Sequence, residues 1–397
     1  MQLSTIRIPK KLNIPFVFLA LTFLASMNFF AKFNYIVFIA FFIVVLPRLK
    51  FKADAGVYPL LLLSVCLLLT GSDQTFNEAL KNFSIPLFYL CGLNLVSFDD
   101  LDKMEKLFEK VVFAITLGLT THTLLNMYIN LQTGNLANRN TIDFWTRDIL
   151  SATGQSAFGC ICIGYAIAAF LSSTKRKTKV YAIIISLIAA VYNFVLACRT
   201  PILMAAIILL VGIVFMLVSR EKAGLKIKVL LGLTIATIVI LLLYSANVGG
   251  IRTYVESSNL FLRVFGANNL GLKSARRDAR IIYRKEIWNY PLGGSNLMET
   301  YGYAHDILLD TFDKAGAVAA ICVIASLVQS ARLVIKTIKH PNISFHFKQL
   351  VLCVYLACFM EFFIEPIMYG MTWLFVLFCM LNGMLQSMLK MQKRVDL

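Results

Sequence analysis

Apolar residues occur along this chain in long blocks separated by short polar segments. Most blocks are about 15–20 residues long, which as a helix is enough to cross roughly 30 Å of hydrocarbon. No internal repeat, low-complexity tract or soluble domain interrupts them. The pattern predicts one all-α, polytopic membrane domain over residues 1–397, with about twelve spans. They lie near residues 13–30, 34–47, 57–71, 83–97, 110–130, 152–172, 179–197, 201–218, 228–246, 305–331, 348–368 and 370–389.

The polar segments between the blocks predict an orientation. Only two have much length, residues 131–151 and 247–304. Twelve spans place both termini and every second segment on one side, and that side carries 24 of the 38 Lys and Arg residues. Because segments rich in Lys and Arg stay in the cytoplasm, we expect both termini there. The smaller loop, 131–151, and the larger loop, 247–304, are then extracytoplasmic.

Composition agrees with a membrane protein. Hydrophobic residues make up 59% of the chain and charged residues 15%, against about a quarter charged in soluble domains. The net charge of +17 is explained by basic residues flanking the spans, which meet anionic lipid, and it does not imply nucleic-acid binding. The nine cysteines lie almost entirely in apolar blocks without a C-x-x-C pair. They are therefore interpreted as small apolar residues rather than as disulfides or metal ligands.

The larger loop contains a basic segment, GLKSARRDARIIYRKEIWNYPLGGSN (271–296), which predicts a helix that ends before Pro291. At 100° per residue, four cations and an aromatic residue share an arc of about 80°. They are Lys273, Arg277, Arg280, Arg284 and Trp288. Like charges stacked in this way repel unless an anion lies opposite. The face either rests on anionic lipid heads or binds phosphate or pyrophosphate, for which arginine supplies planar, permanently charged donors. We favour the second interpretation.

Arg199 is a further candidate phosphate ligand. It stands in CRTP (198–201), before the eighth predicted span, with Pro201 suited to the first helical position. Alone, an arginine at a membrane edge is usually an interfacial anchor. Its predicted position on the same side as the basic helix favours phosphate binding.

The segment YGYAHDILLDTFDKAG (301–316) puts ionisable residues at the start of a predicted span. Such residues at membrane depth are by default a functional hypothesis. Histidine accepts protons near neutral pH, so His305 is either a general base or an interfacial histidine held by hydrogen bonds. These two interpretations are equally supported by the residues alone. Asp310 and Lys314, at i and i+4, are predicted to pair.

Two glutamates in FMEFFIEPIMYG (359–370), Glu361 and Glu365, share a helix face near the extracytoplasmic end of the eleventh span. They could pair with arginines, orient a sugar or act as a base, and we favour pairing or orientation. His122, inside the fifth span, is interpreted as a hydrogen-bonded core histidine.

Three motifs, in order across residues 195–330, resemble the O-antigen ligase/polymerase family of bacterial membrane glycosyltransferases, which includes the Wzy-type polymerases. The first is CRTPILMA, with its arginine at a span start, and the second is ARRDARIIYRKEIWNYPLGG. The third is HDILLDTFDKAG. The matched residues are Arg199, Arg277, Trp288, Pro291, Gly293, His305, Leu309 and Gly316. Asp306 stands where the family has Asn, and Lys314 where it often has Glu. Residues 138–156 are similar to polymerase members.

The resemblance implies a GT-C-like helical fold in the bacterial inner membrane, a glycan donor linked to undecaprenyl pyrophosphate, and neither metal nor cofactor. Together with the basic helix face, it leads us to expect pyrophosphate to be bound by Arg199, Arg277, Arg280 and Arg284. His305 would be the catalytic base, oriented by Asp306. From the residues alone, we also expect Trp288, Glu361 and Glu365 to contact or orient sugars. The implied partners are the lipid-linked donor and acceptor, membrane lipid, a polysaccharide co-polymerase that regulates chain length, and a flippase, with no nucleic acid.

The favoured activity is polymerisation of lipid-linked repeat units into O-antigen or capsular polysaccharide. A ligase that transfers the glycan to lipid A core is the close alternative. A transporter or flippase of the same glycan is more distant, because transporters tend to show repeats and spans broken near the midplane, and this sequence shows neither.

Overall fold

Helices make up most of the chain in a computed structural model, which describes residues 13–31, 34–45, 53–70, 75–95, 100–136, 138–173, 175–219, 223–258, 260–262 and 275–395. The helices are α1 (Ile14–Ser26), α2 (Asn34–Val45), α3 (Val57–Thr70), α4 (Phe76–Leu95), α5 (Leu101–Gln132), α6 (Ala152–Ala157), α7 (Gly159–Ser172), α8 (Arg176–Val195), α9 (Thr200–Val218), α10 (Ala223–Ser245), α11 (Ile251–Ser257), α12 (Ala275–Glu286), α13 (Asn296–Tyr301), α14 (Ile307–Lys339), α15 (Phe345–Phe362), α16 (Ile367–Gly370) and α17 (Thr372–Val395).

Eight helical segments in the described part of the chain are long and apolar enough to cross a membrane. They lie in α5, α6 with α7, α8, α9, α10, α14, α15 and α17. Three further apolar helices, α1 to α3, are shorter. Each of the twelve predicted spans thus overlaps a helix, which supports the prediction of an all-α, membrane-embedded protein. How many of these helices cross remains a prediction.

The helices extend beyond the apolar blocks that predicted them. For example, α4 begins at Phe76 rather than near residue 83, and α5 begins at Leu101 rather than near residue 110. Asp100 caps α5 by accepting from the backbone N–H of Asp102 at 2.9 Å. A helix continues as long as its backbone hydrogen bonds and its cap are satisfied. Hydropathy therefore does not detect the polar turns at its ends.

The two predicted loops contain secondary structure of their own. In residues 131–151, strands β1 (Asn140–Ile142) and β2 (Ile149–Ser151) form an antiparallel hairpin, with Thr141 opposite Leu150. In residues 247–304, the described helices are α11, α12 and α13, together with 3-10 turns at Val248–Gly250 and Ile287–Asn289.

The spans differ in how deeply they are buried. The helices α7 and α17 form the centre, and the side chains of α10 are almost all exposed, as expected of a helix that faces lipid. Helices α4 and α17 cross so closely that a Cβ on Gly92 would lie 2.0 Å from the Met380 carbonyl oxygen. Small residues permit this close approach of helix backbones.

The ends of three helices define where the candidate site lies. Phe215 of α9 stacks on Phe345 at the start of α15, with 5.8 Å between ring centroids. Further along α15, Gln349 donates to the Gly212 carbonyl. The two helices therefore run antiparallel, and the start of α9 lies at the same end as the finish of α15. The start of α14 lies there too, because Arg280 bonds both the His305 and the Phe363 carbonyls.

Candidate active site

Two of the sequence motifs contact each other at a break in α14. Gly316 has φ 84° and ψ 179°, so the helix is interrupted there. The N–H of Ala317 donates to the Pro291 carbonyl at 2.9 Å. A Cβ on Gly316 would lie 2.7 Å from that carbonyl, and one on Gly293 would lie 2.6 Å from the Gly316 nitrogen. Both positions have positive φ and no room for a side chain, so they need glycine. The NYPLGG segment is thereby packed against the start of α14.

Asp306 serves as the N-cap of α14. Its Oδ1 accepts from the backbone N–H groups of Leu308 and Leu309 at 3.0 and 3.4 Å. This is the usual task of an aspartate before a helix. Asp306 was predicted to orient His305, whereas in the structure its carboxylate bonds the helix start and Glu365 lies against the imidazole.

The other two aspartates of this segment are buried and hold backbone turns together. Asp310 accepts from the N–H groups of Ala304 and Asp306 at 2.9 and 3.2 Å. The predicted Asp310–Lys314 pair is wrong. Lys314 instead donates to the Met368 carbonyl at 2.9 Å and lies 3.8 Å from Glu78. The physical reason is that buried backbone N–H groups before the helix need an acceptor, and Asp310 is the carboxylate that reaches them.

Asp313 links α14 to three other parts of the fold. It accepts from the backbone N–H groups of Leu297 and Met298 and from the hydroxyls of Tyr369 and Tyr283. Burial first, and then the neighbouring aspartates, hold the pKa of Tyr283 well above its ordinary value. Tyr283 therefore stays a neutral donor to Asp313 at physiological pH.

His305 differs from these aspartates because its side chain holds no backbone turn. Its Nδ1 lies 3.5 Å from Glu365 Oε2, and its side chain keeps 19% of its surface exposed. The imidazole makes no hydrogen bond to a described residue within normal distance limits. The backbone of His305 is left-handed, with φ 56°, and its carbonyl is held by Arg280. The ring is thus positioned by its backbone and remains accessible to a ligand.

Glu365 is fully buried and is held by an arginine that sequence reasoning missed. Arg276 donates to its two carboxylate oxygens at 3.1 and 3.2 Å, and to the Ile364 carbonyl at 2.9 Å. Glu361, one turn earlier, is also buried, and its Oε1 has no partner among described residues. The predicted pairing of these glutamates with loop arginines therefore holds for Glu365. Glu361 is 1% exposed, and its role in orienting a sugar remains a prediction.

The predicted basic arc divides into two parts in the structure. Arg280 donates to the carbonyls of Ala304, His305 and Phe363, so it ties α12 to the site. Arg277 and Arg284 are exposed on the adjoining face. Trp288 is 69% exposed and meets Phe312 edge-on. Lys273 lies outside the described residues.

A signal for Arg276 was present in the sequence. Tyr283 and Ile287, at i+7 and i+11 from Arg276, are buried and lie within about 20° of it on a helix of 100° per residue. If the apolar residues rather than the charges are used to define the buried face of the helix, Arg276 is predicted to face the protein.

Arg199 immediately precedes α9, which has proline at its first turn as predicted. It is partly buried and lies at the same end of the helices as Glu365. Its role as a phosphate ligand remains a prediction.

A second histidine–carboxylate pair lies in the smaller loop region. His122 is buried, as predicted, and its Nε2 lies 2.7 Å from Asp143 Oδ2. Asp143 Oδ1 accepts from the N–H groups of Trp145 and Thr146. Burial acts to raise the pKa of Asp143, but His122 and these N–H groups outweigh it and the pKa is lowered. This pair anchors the hairpin to α5.

The site offers histidine, carboxylates and arginines, but no group of three or more His, Cys, Asp or Glu residues in the described part of the chain could hold a metal ion. Compared with known proteins, the chain matches no family model and no curated protein. Its function must therefore be argued from the site.

Proposed function

We propose that this protein is a membrane glycosyltransferase that polymerises undecaprenyl-pyrophosphate-linked repeat units on the extracytoplasmic face of the bacterial inner membrane. The observation that carries the proposal is the row formed by Arg276, Glu365 and His305. A buried carboxylate held by a bidentate arginine lies 3.5 Å from the Nδ1 of a partly exposed histidine.

This row suits His305 to general-base catalysis. The Glu365 carboxylate favours a proton on Nδ1, which leaves the lone pair of Nε2 free to accept another. In the proposed step the acceptor hydroxyl oxygen attacks the anomeric carbon of the donor and its proton passes to Nε2. The bond from the anomeric carbon to the pyrophosphate oxygen breaks, and undecaprenyl pyrophosphate leaves with the electron pair, with inversion at the anomeric carbon.

The exposed part of α12 supports an anionic donor. Arg280 bonds the carbonyl of His305 itself, and Arg277 and Arg284 lie on the neighbouring exposed face. Two permanently charged guanidinium groups are thus carried by the helix that contacts the proposed base. They would stabilise charge as it develops on the leaving pyrophosphate. Arg199 would contribute a further contact from the start of α9.

The test is a reconstituted reaction with the full chain in lipid vesicles. Supplied with undecaprenyl-pyrophosphate-linked repeat units, the protein should form a ladder of polymers and release one undecaprenyl pyrophosphate per bond formed. His305→Ala should reduce the rate at least about 100-fold, the lower range for loss of a general base. His340→Ala is the matched control, because His340 lies at the far end of α14. Polymer formation at the normal rate by His305→Ala would refute the base assignment.

The acceptor decides between polymerase and ligase. We expect repeated extension of a lipid-linked acceptor, in keeping with the similarity of residues 138–156 to polymerase members. A single transfer to lipid A core, without a ladder on lipid-linked units, would reassign the protein as a ligase.

A further inference from the structure

A cavity of about 300 Å³ lies apart from the His305 row, between α1, α2, α5, the β1–β2 hairpin and the start of α17. Its volume is at the lower end of small-molecule sites. The segment Gly370–Met371 lines it, and the preceding residue, Tyr369, bonds Asp313 of the active-site region. The cavity and the candidate active site therefore flank the same short segment.

Three buried polar atoms around this cavity have no hydrogen-bond partner among the described residues. They are Ser26 Oγ, Asn34 Oδ1 and His122 Nδ1, and all three residues line the cavity. Ser26 is 7% exposed and His122 1%. By contrast, Thr22 on the same helix as Ser26 donates to the Phe18 carbonyl. Since buried polar groups are almost always hydrogen-bonded, three unpaired ones at a single cavity indicate a polar ligand.

The walls of the cavity favour a neutral ligand. Among the described residues that line it there is no Lys or Arg, so it does not suit pyrophosphate. Two carboxylates line the cavity: Asp143 is already engaged by His122 and the hairpin backbone, and Asp148 is exposed. Aromatic rings supply the apolar wall: Phe158 lies 4.6 Å from the His122 ring and 5.5 Å from the Trp373 ring, measured between centroids. A sugar ring presents both hydroxyls and an apolar face, whereas an isoprenoid chain would leave the three polar atoms unpaired.

We propose that this cavity binds a neutral sugar ring, and that the ring belongs to the acceptor glycan. A sugar hydroxyl would donate to His122 Nδ1 or Asn34 Oδ1, and the Ser26 hydroxyl would bond another. The proposed binding of a neutral sugar is supported by the residues of the cavity alone. Its assignment to the acceptor rests on the proposed glycosyltransferase function.

The experiment measures binding rather than activity. The full chain in lipid nanodiscs is titrated with methyl glycosides of glucose, galactose, rhamnose and N-acetylglucosamine, followed by saturation-transfer NMR. At least one glycoside should bind, and Ser26→Ala should weaken it about fivefold or more, as expected for one lost hydrogen bond. The unfolding midpoint of Ser26→Ala should stay unchanged or rise, because the substitution removes an unpaired buried hydroxyl. If Ser26 had a purely structural role, Ser26→Ala would instead lower the unfolding midpoint.

The matched control is Thr337→Val. Thr337 also carries a buried hydroxyl without a partner among described residues, but it does not line the cavity, so binding should be unchanged. The proposal is overturned if no glycoside binds, if geranylgeraniol binds in their place, or if Ser26→Ala binds normally. His305→Ala should bind glycosides normally. If glycoside binding is weakened by Ser26→Ala while His305→Ala keeps full polymerase activity, the sugar site is supported and the assignment of His305 as catalytic base is refuted.

Discussion

Substitution of Arg276 and Glu365 is the most direct test of how the candidate site is stabilised. Glu365 has no exposed surface, whereas the Arg276 side chain is 30% exposed. Removing one partner of a fully buried pair costs about 3–5 kcal/mol, mainly because the other charge is left buried and unpaired. The asymmetric burial of this pair predicts asymmetric costs for the two single substitutions.

Arg276→Ala leaves the Glu365 carboxylate without its bidentate donor, with only His305 nearby. We expect this substitution to lower the free energy of unfolding by about 3 kcal/mol. This value is at the low end of the range because Arg276 is partly solvated. Glu365→Gln leaves a neutral acceptor beside an arginine that water can reach, and should cost about 1 kcal/mol. In the double variant neither charge of the pair remains. Its loss of unfolding free energy should therefore be about 2 kcal/mol smaller than the sum of the two single losses.

The free energies of unfolding can be compared by SDS titration in mixed micelles, read by tryptophan fluorescence. Arg277→Ala is the matched control: the neighbouring side chain is exposed, so its loss should lie within about 0.5 kcal/mol of zero. Equal losses for Arg276→Ala and Arg277→Ala would refute the reasoning. So would a double variant whose loss equals the sum of the single ones.

Two further predictions concern the backbone break and the hairpin. Gly316→Ala should destabilise the protein by about 1–3 kcal/mol in the same titration, because alanine is strained at φ 84° and its Cβ would press on the Pro291 carbonyl; Gly232→Ala, in a helix with open space around it, should be neutral or stabilising. The lowered pKa of Asp143 means that, as pH falls below about 4, the unfolded state binds protons before the folded state does. Thermal midpoints should therefore drop in that range, and the drop should be smaller in Asp143→Asn; equal drops would contradict the linkage.

Much of the fold could be predicted because a lipid environment makes hydropathy decisive. A helix that satisfies its own backbone is the simplest way for an apolar block to enter a bilayer. Each of the twelve blocks accordingly overlaps a helix, and the basic helix ends before Pro291 as predicted. Helix limits were less accurate, because a cap such as Asp100 lets α5 extend into polar sequence.

The candidate site was predictable only in part. The motif pattern singled out His305, and the structure leaves its imidazole accessible beside a buried carboxylate. The neighbouring residues were harder to interpret. Asp310 and Asp313 bond backbone N–H groups of residues 297–306, which become buried only when that segment folds against α14. Periodicity within one helix contains no information about such distant donors.

By itself, then, the sequence determined the mostly helical architecture, a helix that begins just after His305, and the end of the basic helix before Pro291. These features depend on local chain conformation and on the length of apolar runs. Tertiary structure alone decided that Arg276 rather than Arg277 pairs with Glu365, and that Ser26, Asn34 and His122 surround one cavity. Those contacts join residues distant in sequence, and their partners depend on how the helices pack.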